Sequence, residues 1–341
     1  MDKPEIPTLD DVAKEAKVST ATVSRCLNSP DRVSQTTRDK VLSVVKALGY
    51  TPNFGAQALA AKRTNTFGAI VPTMNNAIFA AGLQAFQEEL GRNGSMLLLA
   101  SSSYDAEVEE EQIRALVSRG ADGLLLIGTQ RSRQIYNFLD DRQIPHVIAW
   151  SYKQDKNRSC VGFDNFQASY DLTTKAISLG HQKFAVISAY TASNDRADGR
   201  VKGIRKALQD NGIDAQNLPI IECEYSIENG SKNFKTLMKA QEKPTIIMCG
   251  NDVLAAGAVK QAHEMNLKIP DDISITGFDN IELASVIEPA LTTVHVRHKR
   301  MGMVAAQVLL KQVEDKSYRK NIKLDTRLVE GRSLGMASFG S

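Results

Sequence analysis

The sequence predicts an all-α helix-turn-helix domain at the N-terminus, followed by an α/β region of two doubly wound lobes. Three observations predict it. Residues 8–48 hold three short amphipathic helical patterns separated by tight turns. From Thr66 onward, short apolar runs alternate with helical stretches. That alternation passes through two successive sets, the pattern of two parallel sheets with helices on their faces.

The 341 residues suit two or three domains, and 42% hydrophobic with 24% charged residues is an ordinary globular balance. No run approaches the roughly 18 apolar residues a membrane helix needs. The opening MDKPEIPTLDDVAKEA holds no apolar secretory core, so a cytoplasmic location is expected. The four cysteines, Cys26, Cys160, Cys223 and Cys249, form no CxxC pair. Metal sites need clustered ligands, so none is expected, and the thiols fit a reducing compartment. Net charge is only +3, and residues 1–62 hold nine basic against seven acidic residues. Any claim of DNA binding must therefore rest on a motif.

Thr8 opens the first helix, over about 9–16, and Asp11 stands where a capping-box acid belongs. Leu9, Val12, Ala13 and Ala16 share its inner face. Lys17 and Val18 turn the chain. Ser19 caps a second helix over Thr20–Leu27, with Val23, Cys26 and Leu27 inward and Ala21 or Thr22, Ser24, Arg25 and Asn28 outward. Ser34 caps a third, over about 34–48, with Val41, Leu42, Val45 and Leu48 inward and Gly49 at its end. The arrangement is a helix-turn-helix whose second helix fits a major groove; on periodicity alone, a plain three-helix bundle fits equally. Ser19, Thr22, Ser24 and Ser34 suit phosphates, and Arg25 suits guanine or a phosphate. Pro52 breaks the third helix. Asn53 caps a short Ala-rich helix over about 54–61, which is either a tether or a hinge that orders on DNA. Leu59, its one large apolar residue, could wedge between base steps.

FGAIVP, SMLLLA, GLLLIG and HVIAW form the first set of buried strands, with helices near 77–92, 105–119 and 131–142. FAVIS, PIIECE, TIIMC and ISITGF form the second, with helices near 194–211, 228–240 and 252–265. TTVHV and RHKRMGMVAAQVLLKQV add a strand and a helix. Ligands of such sheets lie beyond the strand C-termini, which here means a cleft between lobes. There is no GxGxxG after a strand, no GxxxxGK[ST], no HExxH and no GxSxG. The five histidines fall on different elements. No enzyme activity, catalytic residue or cofactor is therefore expected.

TLDDVAKEAKVSTATVSRCLN, RVSQTTRDKVLSVVKALGYTPN and AQALA closely resemble the DNA-binding end of the lactose-repressor family, and the resemblance extends over nearly the whole chain. It implies a sensor built like periplasmic sugar-binding proteins, and lobe crossings near 162–165, 294–298 and 325–328. The expected divisions are 1–52 for the DNA-binding domain, 53–65 for the hinge and 66–341 for the sensor. Lobe 1 then spans about 66–163 and 297–326, and lobe 2 about 164–295 and 327–341. By the same resemblance Thr20 and Ala21 hold the specificity positions and Arg25 the base- or phosphate-contacting one. Thr8 belongs to the same DNA-binding end. Tyr50 and Asn53 lead into the hinge helix, and Ala56 and Leu59 face the minor groove. Members bind near-palindromic double-stranded operators as dimers.

For the effector, the resemblance places Arg200 of SNDRADGRVKG, Asp252 of CGNDVLAAG and Asp164 or Asn165 of VGFDNFQAS at the cleft. Ile78 and Phe79 match a wall of the first lobe and Tyr225 an aromatic of the second. Each has a structural alternative: a salt bridge for Arg200, helix caps for Asp164 and Asp252, core packing for the apolar groups. Trp150 stands where several members carry an aspartate, so a known sugar specificity does not transfer. VGFDNFQAS is also similar to gluconate-responsive members. With Arg200 kept, a sugar or, preferentially, a sugar acid is the expected effector. The expectation is a homodimeric transcriptional repressor in which effector binding weakens DNA binding, with corepression as the alternative. The tail after Val329 shows no leucine heptads for a tetramer. A solute-binding protein for transport is the rival class.

Overall fold

The computed structural model describes residues 6–51, 55, 63–74 and 77–337. It divides into two compact units, Met1–Asn65 and Thr66–Ser341.

In the first unit, α1 (Leu9–Ala16), α2 (Thr20–Asn28) and α3 (Gln35–Leu48) surround a core of Val12, Ala13, Ala16, Val23, Cys26 and Val41. The ends are fixed by short polar side chains. Thr8 Oγ1 accepts from Asp11 N, and Asp11 Oδ2 accepts from Thr8 N at 2.8 Å, so two donors of the helix start are satisfied reciprocally. Lys17, at φ 51°, turns the chain in the left-handed region. Ser19 and Ser34 accept from the amides of Thr22 and Thr37. Two expected core positions are corrected: Leu42 is 43% exposed and Leu48 36%. The helix instead packs through Val41, Val44 and Val45. Leu42 lies one residue off that row, some 100° around the helix.

In the second unit, the larger sheet has the parallel order β11-β5-β4-β3-β1-β2. Its strands are β1 (Thr66–Val71), β2 (Met96–Ser101), β3 (Gly123–Ile127), β4 (His146–Ala149), β5 (Ser159–Gly162) and β11 (Asn321–Lys323). Helices α4 (Ala77–Arg92), α5 (Ala106–Ser118) and α6 (Arg133–Asp141) connect its first strands, and α12 (His298–Glu314) returns to pack on α4, β3 and β4. Close approach of α4 and α12 depends on Gly82 and Gly302, since a Cβ on Gly302 would strike the Gly82 carbonyl. The smaller sheet, β7-β6-β8-β9, holds β6 (Phe184–Ser188), β7 (Ile220–Glu222), β8 (Ile246–Cys249) and β9 (Ser274–Thr276). Around it lie α7 (Asn165–Ser178), α8 (Asp195–Asp210), α9 (Ile227–Leu237), α10 (Asp252–Glu264) and the short α11 (Leu283–Val286). The segments running between the sheets pair with each other: β10 (Thr293–His295) is antiparallel to β12 (Arg327–Val329).

Strands β1, β3, β4, β6 and β8 are buried along their whole length, as their continuous apolar sequence requires. Edge strand β2 keeps Met96 and Leu99 exposed. No described helix is long and apolar enough to cross a membrane.

Candidate DNA-reading face and effector cleft

On α2 the outward row is Ala21, Arg25 and Asn28, all exposed, while Val23 and Cys26 are buried. Thr20, Thr22 and Ser24 flank the row half-buried, and Thr8, Ser19 and Ser34 are exposed. The Ser19 and Thr22 hydroxyls are 2.9 Å apart, and Asn28 Nδ2 donates to Ser24 Oγ at 3.2 Å. One short helix thus presents a guanidinium, an amide and a methyl group, with its N-terminal amides beside them. That set can meet base edges and phosphates together. Tyr50 is half-buried and packs against this unit's core. Asn53, Ala56 and Leu59 lie outside the described residues.

Beyond the C-terminal ends of both sheets lies a cavity of about 470 Å³, lined by Ser103, Tyr104 and Asp105 on one side and by Tyr190, Glu224 and Tyr225 on the other. Near it stands Arg200, a buried residue of α8. Its Nε donates to Asn165 Oδ1 at 2.9 Å and Nη1 to the Gly250 carbonyl. Its Nη2 pairs with Asp279 Oδ1 at 3.4 Å, and the guanidinium lies 3.8 Å from the centre of the Phe278 ring. The Arg200 charge is therefore matched by Asp279, which is itself 1% exposed. The other oxygen, Asp279 Oδ2, has no partner among the described residues.

His298, at the start of α12, faces the same carboxylate, with Nε2 4.0 Å from Asp279 Oδ1. Trp150 Nε1 donates to His298 Nδ1 at 3.2 Å, which leaves the ring proton on Nε2. Burial pushes the His298 pKa down, so the ring is neutral at pH 7. Its Nε2 also lacks a partner among the described residues. Tyr104 of the larger lobe and Tyr225 of the smaller both lie within electrostatic range of Asp279 and Arg200, and desolvation raises both phenol pKa values.

Several expected site residues occupy other places. Trp150 is 1% exposed, edge-on to Phe79 at 5.5 Å and stacked with His298 at 6.4 Å. Trp150, Phe79 and Ile78 belong to the hydrophobic core, so they form no wall of the cavity. The indole's part is to set the His298 tautomer. Asp164 caps α7 by accepting from Gln167 N and pairs with Lys323 at 3.0 Å. Its neighbour Asn165 is the residue that meets Arg200. Asp252 is fully buried: Oδ1 accepts from Thr293 Oγ1 at 2.6 Å and Oδ2 from Ile281 N at 2.8 Å. Desolvation, aided by the Asp279 charge, pushes the Asp252 pKa up to about 7. Tyr225 lines the cavity, whereas Arg200 is buried outside its lining, within electrostatic range of Tyr104 and Tyr225.

Sequence reasoning missed Asp279 and His298; of the pair it offered, Asp164 or Asn165, Asn165 is the one that meets Arg200. Asp279 follows β9 in GFDN, a strand C-terminus like the others searched, and the same rule could have found it. It also missed the contacts across the cleft. Thr129 donates through N and Oγ1 to Asp195 Oδ2 at 2.7 and 2.8 Å, and Gln130 Nε2 donates to the Ala192 carbonyl at 2.6 Å. Asp195 pairs with Arg196 at 2.7 Å; despite its burial, that charge and the Thr129 bonds hold its pKa down, so the acceptor stays ionised. Gly128, at φ 78°, admits this approach: a Cβ there would overlap Arg196 and Asp195. Among the described residues no group of three metal-ligating side chains occurs.

Residues 8–53 match the model for bacterial regulatory proteins of the lacI family, and residues 173–334 a periplasmic binding protein-like domain. The chain is 34% identical over 298 residues to the HTH-type transcriptional regulator DegA of Bacillus subtilis, covering 86% of this chain and 88% of that protein. It is 31% identical over 330 residues to the HTH-type transcriptional repressor PurR of Photorhabdus laumondii, covering 96% of each. Among solved structures, a LacI family transcriptional regulator from Silicibacter pomeroyi superposes with a TM-score of 0.86 at 26% identity, over 96% of this chain and 99% of that one. The lac repressor dimer bound to operator and the anti-inducer ONPF shares the fold, with a TM-score of 0.85 at 24% identity over 97% and 100% of the two chains. The chain belongs to the lacI family of bacterial regulatory proteins. It is a DNA-binding transcriptional repressor with a periplasmic-binding-protein-like sensor.

Proposed function

We propose that this repressor works in the cytoplasm as a homodimer on a near-palindromic operator, and that a small neutral polyhydroxyl molecule of the sugar type, bound in the cleft, weakens its hold on DNA. The DNA-binding set is Thr8, Ser19, Thr20, Ala21, Thr22, Ser24, Arg25, Asn28 and Ser34 from the described residues, with Tyr50 leading toward Asn53, Ala56 and Leu59 of the hinge.

The observation that carries the effector reading is the pair of orphaned polar atoms beside Arg200. Asp279 Oδ2 accepts and His298 Nε2–H donates, and neither has a partner among the described residues. A buried polar atom without a partner costs about 1–3 kcal/mol. Neither residue lines the cavity as it stands, so a hydroxyl of the effector, both donor and acceptor, would reach these atoms as the cleft closes. A sugar acid fits less well, because Asp279 already balances Arg200 and an added carboxylate would face Asp105 and Glu224 across the cavity. This departs from the preference for an acid drawn from Arg200 alone.

Closure of the cleft on the effector would alter the contacts at Thr129 and Gln130, and the coupling to DNA would amount to about 1–3 kcal/mol, or roughly 5–150-fold in operator affinity. The experiment is a thermal-shift screen of neutral sugars and sugar acids, followed by fluorescence anisotropy on DNA from upstream of the gene itself. The reading expects a neutral sugar to raise the melting temperature and weaken binding. Stabilisation by sugar acids alone would overturn the neutral effector, and tighter operator binding with effector would overturn induction in favour of corepression.

A further inference from the structure

At the end of the larger sheet opposite the cleft, where β4, β5 and β11 begin, lies a second cavity, of about 620 Å³. That volume is within the usual range of small-molecule sites, about 300–1,000 Å³. Its lining is cationic: Lys156, Arg158, Lys316 and Arg319 against the single carboxylate of Asp140. Arg158 is balanced, lying 3.4 Å from Asp140 and 3.5 Å from Asp155. Lys156, Lys316 and Arg319 form no ion pair among the described residues. Arg319 already donates through Nε and Nη1 to the carbonyls of Asn157, Lys316 and Tyr318, and Lys316 to Gln143 Oε1 at 3.3 Å, but the concavity keeps an excess of positive charge, which favours a multiply charged anion.

Two further lining groups are buried acceptors. His146 is 7% exposed, and its Nδ1 lies 3.1 Å from the Ile144 carbonyl. A carbonyl only accepts, so Nδ1 carries the proton, and burial keeps the ring neutral. Its Nε2 therefore holds a lone pair, and it has no partner among the described residues. Gln312, 2% exposed, spends its amide nitrogen on Ser159 Oγ at 3.0 Å, while its Oε1 is likewise unpartnered among the described residues. The cavity thus combines a cationic rim with two buried acceptors, a different chemistry from the Arg200–Asp279 pair.

We infer that this cavity is a second ligand site, for a small phosphate-bearing molecule with hydroxyl groups: the phosphate on the ammonium groups of Lys156 and Lys316 and on Nη2 of Arg319, the hydroxyls donating to His146 and Gln312. A ligand there makes no use of the cleft, so the sensor would take two independent inputs. The test is calorimetric titration of the full-length protein with ribose 5-phosphate, inorganic phosphate and ribose. The inference expects saturable binding of ribose 5-phosphate, at least tenfold tighter than inorganic phosphate, with none for ribose. Lys156→Ala/Lys316→Ala, both exposed positions, should weaken it at least tenfold at an unchanged melting temperature, and Asp279→Asn should leave it alone. No saturable binding, equal affinity in the double variant, or loss on Asp279→Asn would overturn the site. Equal affinities for the two phosphates would overturn the role of His146 and Gln312.

Discussion

The α2 face and the cleft both carry polar side chains that the proposal assigns to recognition, but they hold them in opposite ways. On α2, Ala21, Arg25 and Asn28 stand in solvent on one row of a nine-residue helix, supported by a six-residue buried core. Around the cleft, Arg200, Asp279 and His298 are almost wholly buried and engaged with one another. An exposed row spends nothing on holding its groups, so its residues should be removable without loss of fold. A buried charged cluster is part of the scaffold whatever it binds. Function and stability should therefore separate on α2 and stay coupled in the cleft.

The strongest test of that contrast is Arg200→Ala. It leaves Asp279 buried without its cation, which costs about 3–5 kcal/mol. The sensor's unfolding free energy in urea should fall by that order, and the effector response should be lost with it. Arg25→Ala should cost about 1–3 kcal/mol of operator affinity with an unchanged melting temperature. A destabilised Arg25 variant, or an Arg200 variant of full stability, would break the comparison.

Thr129→Ala comes next. It removes one charge-assisted bond across the cleft, worth about 1.5–3 kcal/mol, while the amide bond to Asp195 remains. Hydrogen exchange at residues 129–131 and 192–196 should speed up, and unchanged rates would show that the side-chain bond holds nothing.

A pH-dependent effect concerns Asp252. Its folded pKa is raised to about 7, so the stability linked to its proton is present at low pH and lost as pH rises through that value. Urea melts at pH 5 and pH 8 should show wild type losing ground to Asp252→Asn at the higher pH. A gap independent of pH would contradict the raised value.

Much of the fold was legible in the sequence, because it is written in local patterns. Thr8, Ser19 and Ser34 start helices for reasons contained within three residues, and the continuous apolar runs of β1, β3 and β8 need only be long enough for a buried strand. Leu42 was misplaced by one helical position, since periodicity gives a face but not its width. In the cleft the limit was different. Asp164, Asp252 and Asp279 all lie at element ends with acid side chains. Which of them keeps a free oxygen depends on Lys323, Thr293 and Arg200, which lie 159, 41 and 79 residues away along the chain. Trp150, read as a change at a strand end facing the pocket's chemistry, is instead enclosed by Phe79 and His298, 71 and 148 residues away along the chain.

The central claim is that the cleft governs the DNA-reading face. Its most direct test is operator affinity by anisotropy, with and without a saturating effector from the screen, in wild type and in Asp279→Asn. The account predicts a change of roughly 5–150-fold in wild type, its disappearance in the variant, and retained affinity of the variant for DNA alone at temperatures below its lowered melting point. An effector response that survives in Asp279→Asn would contradict it.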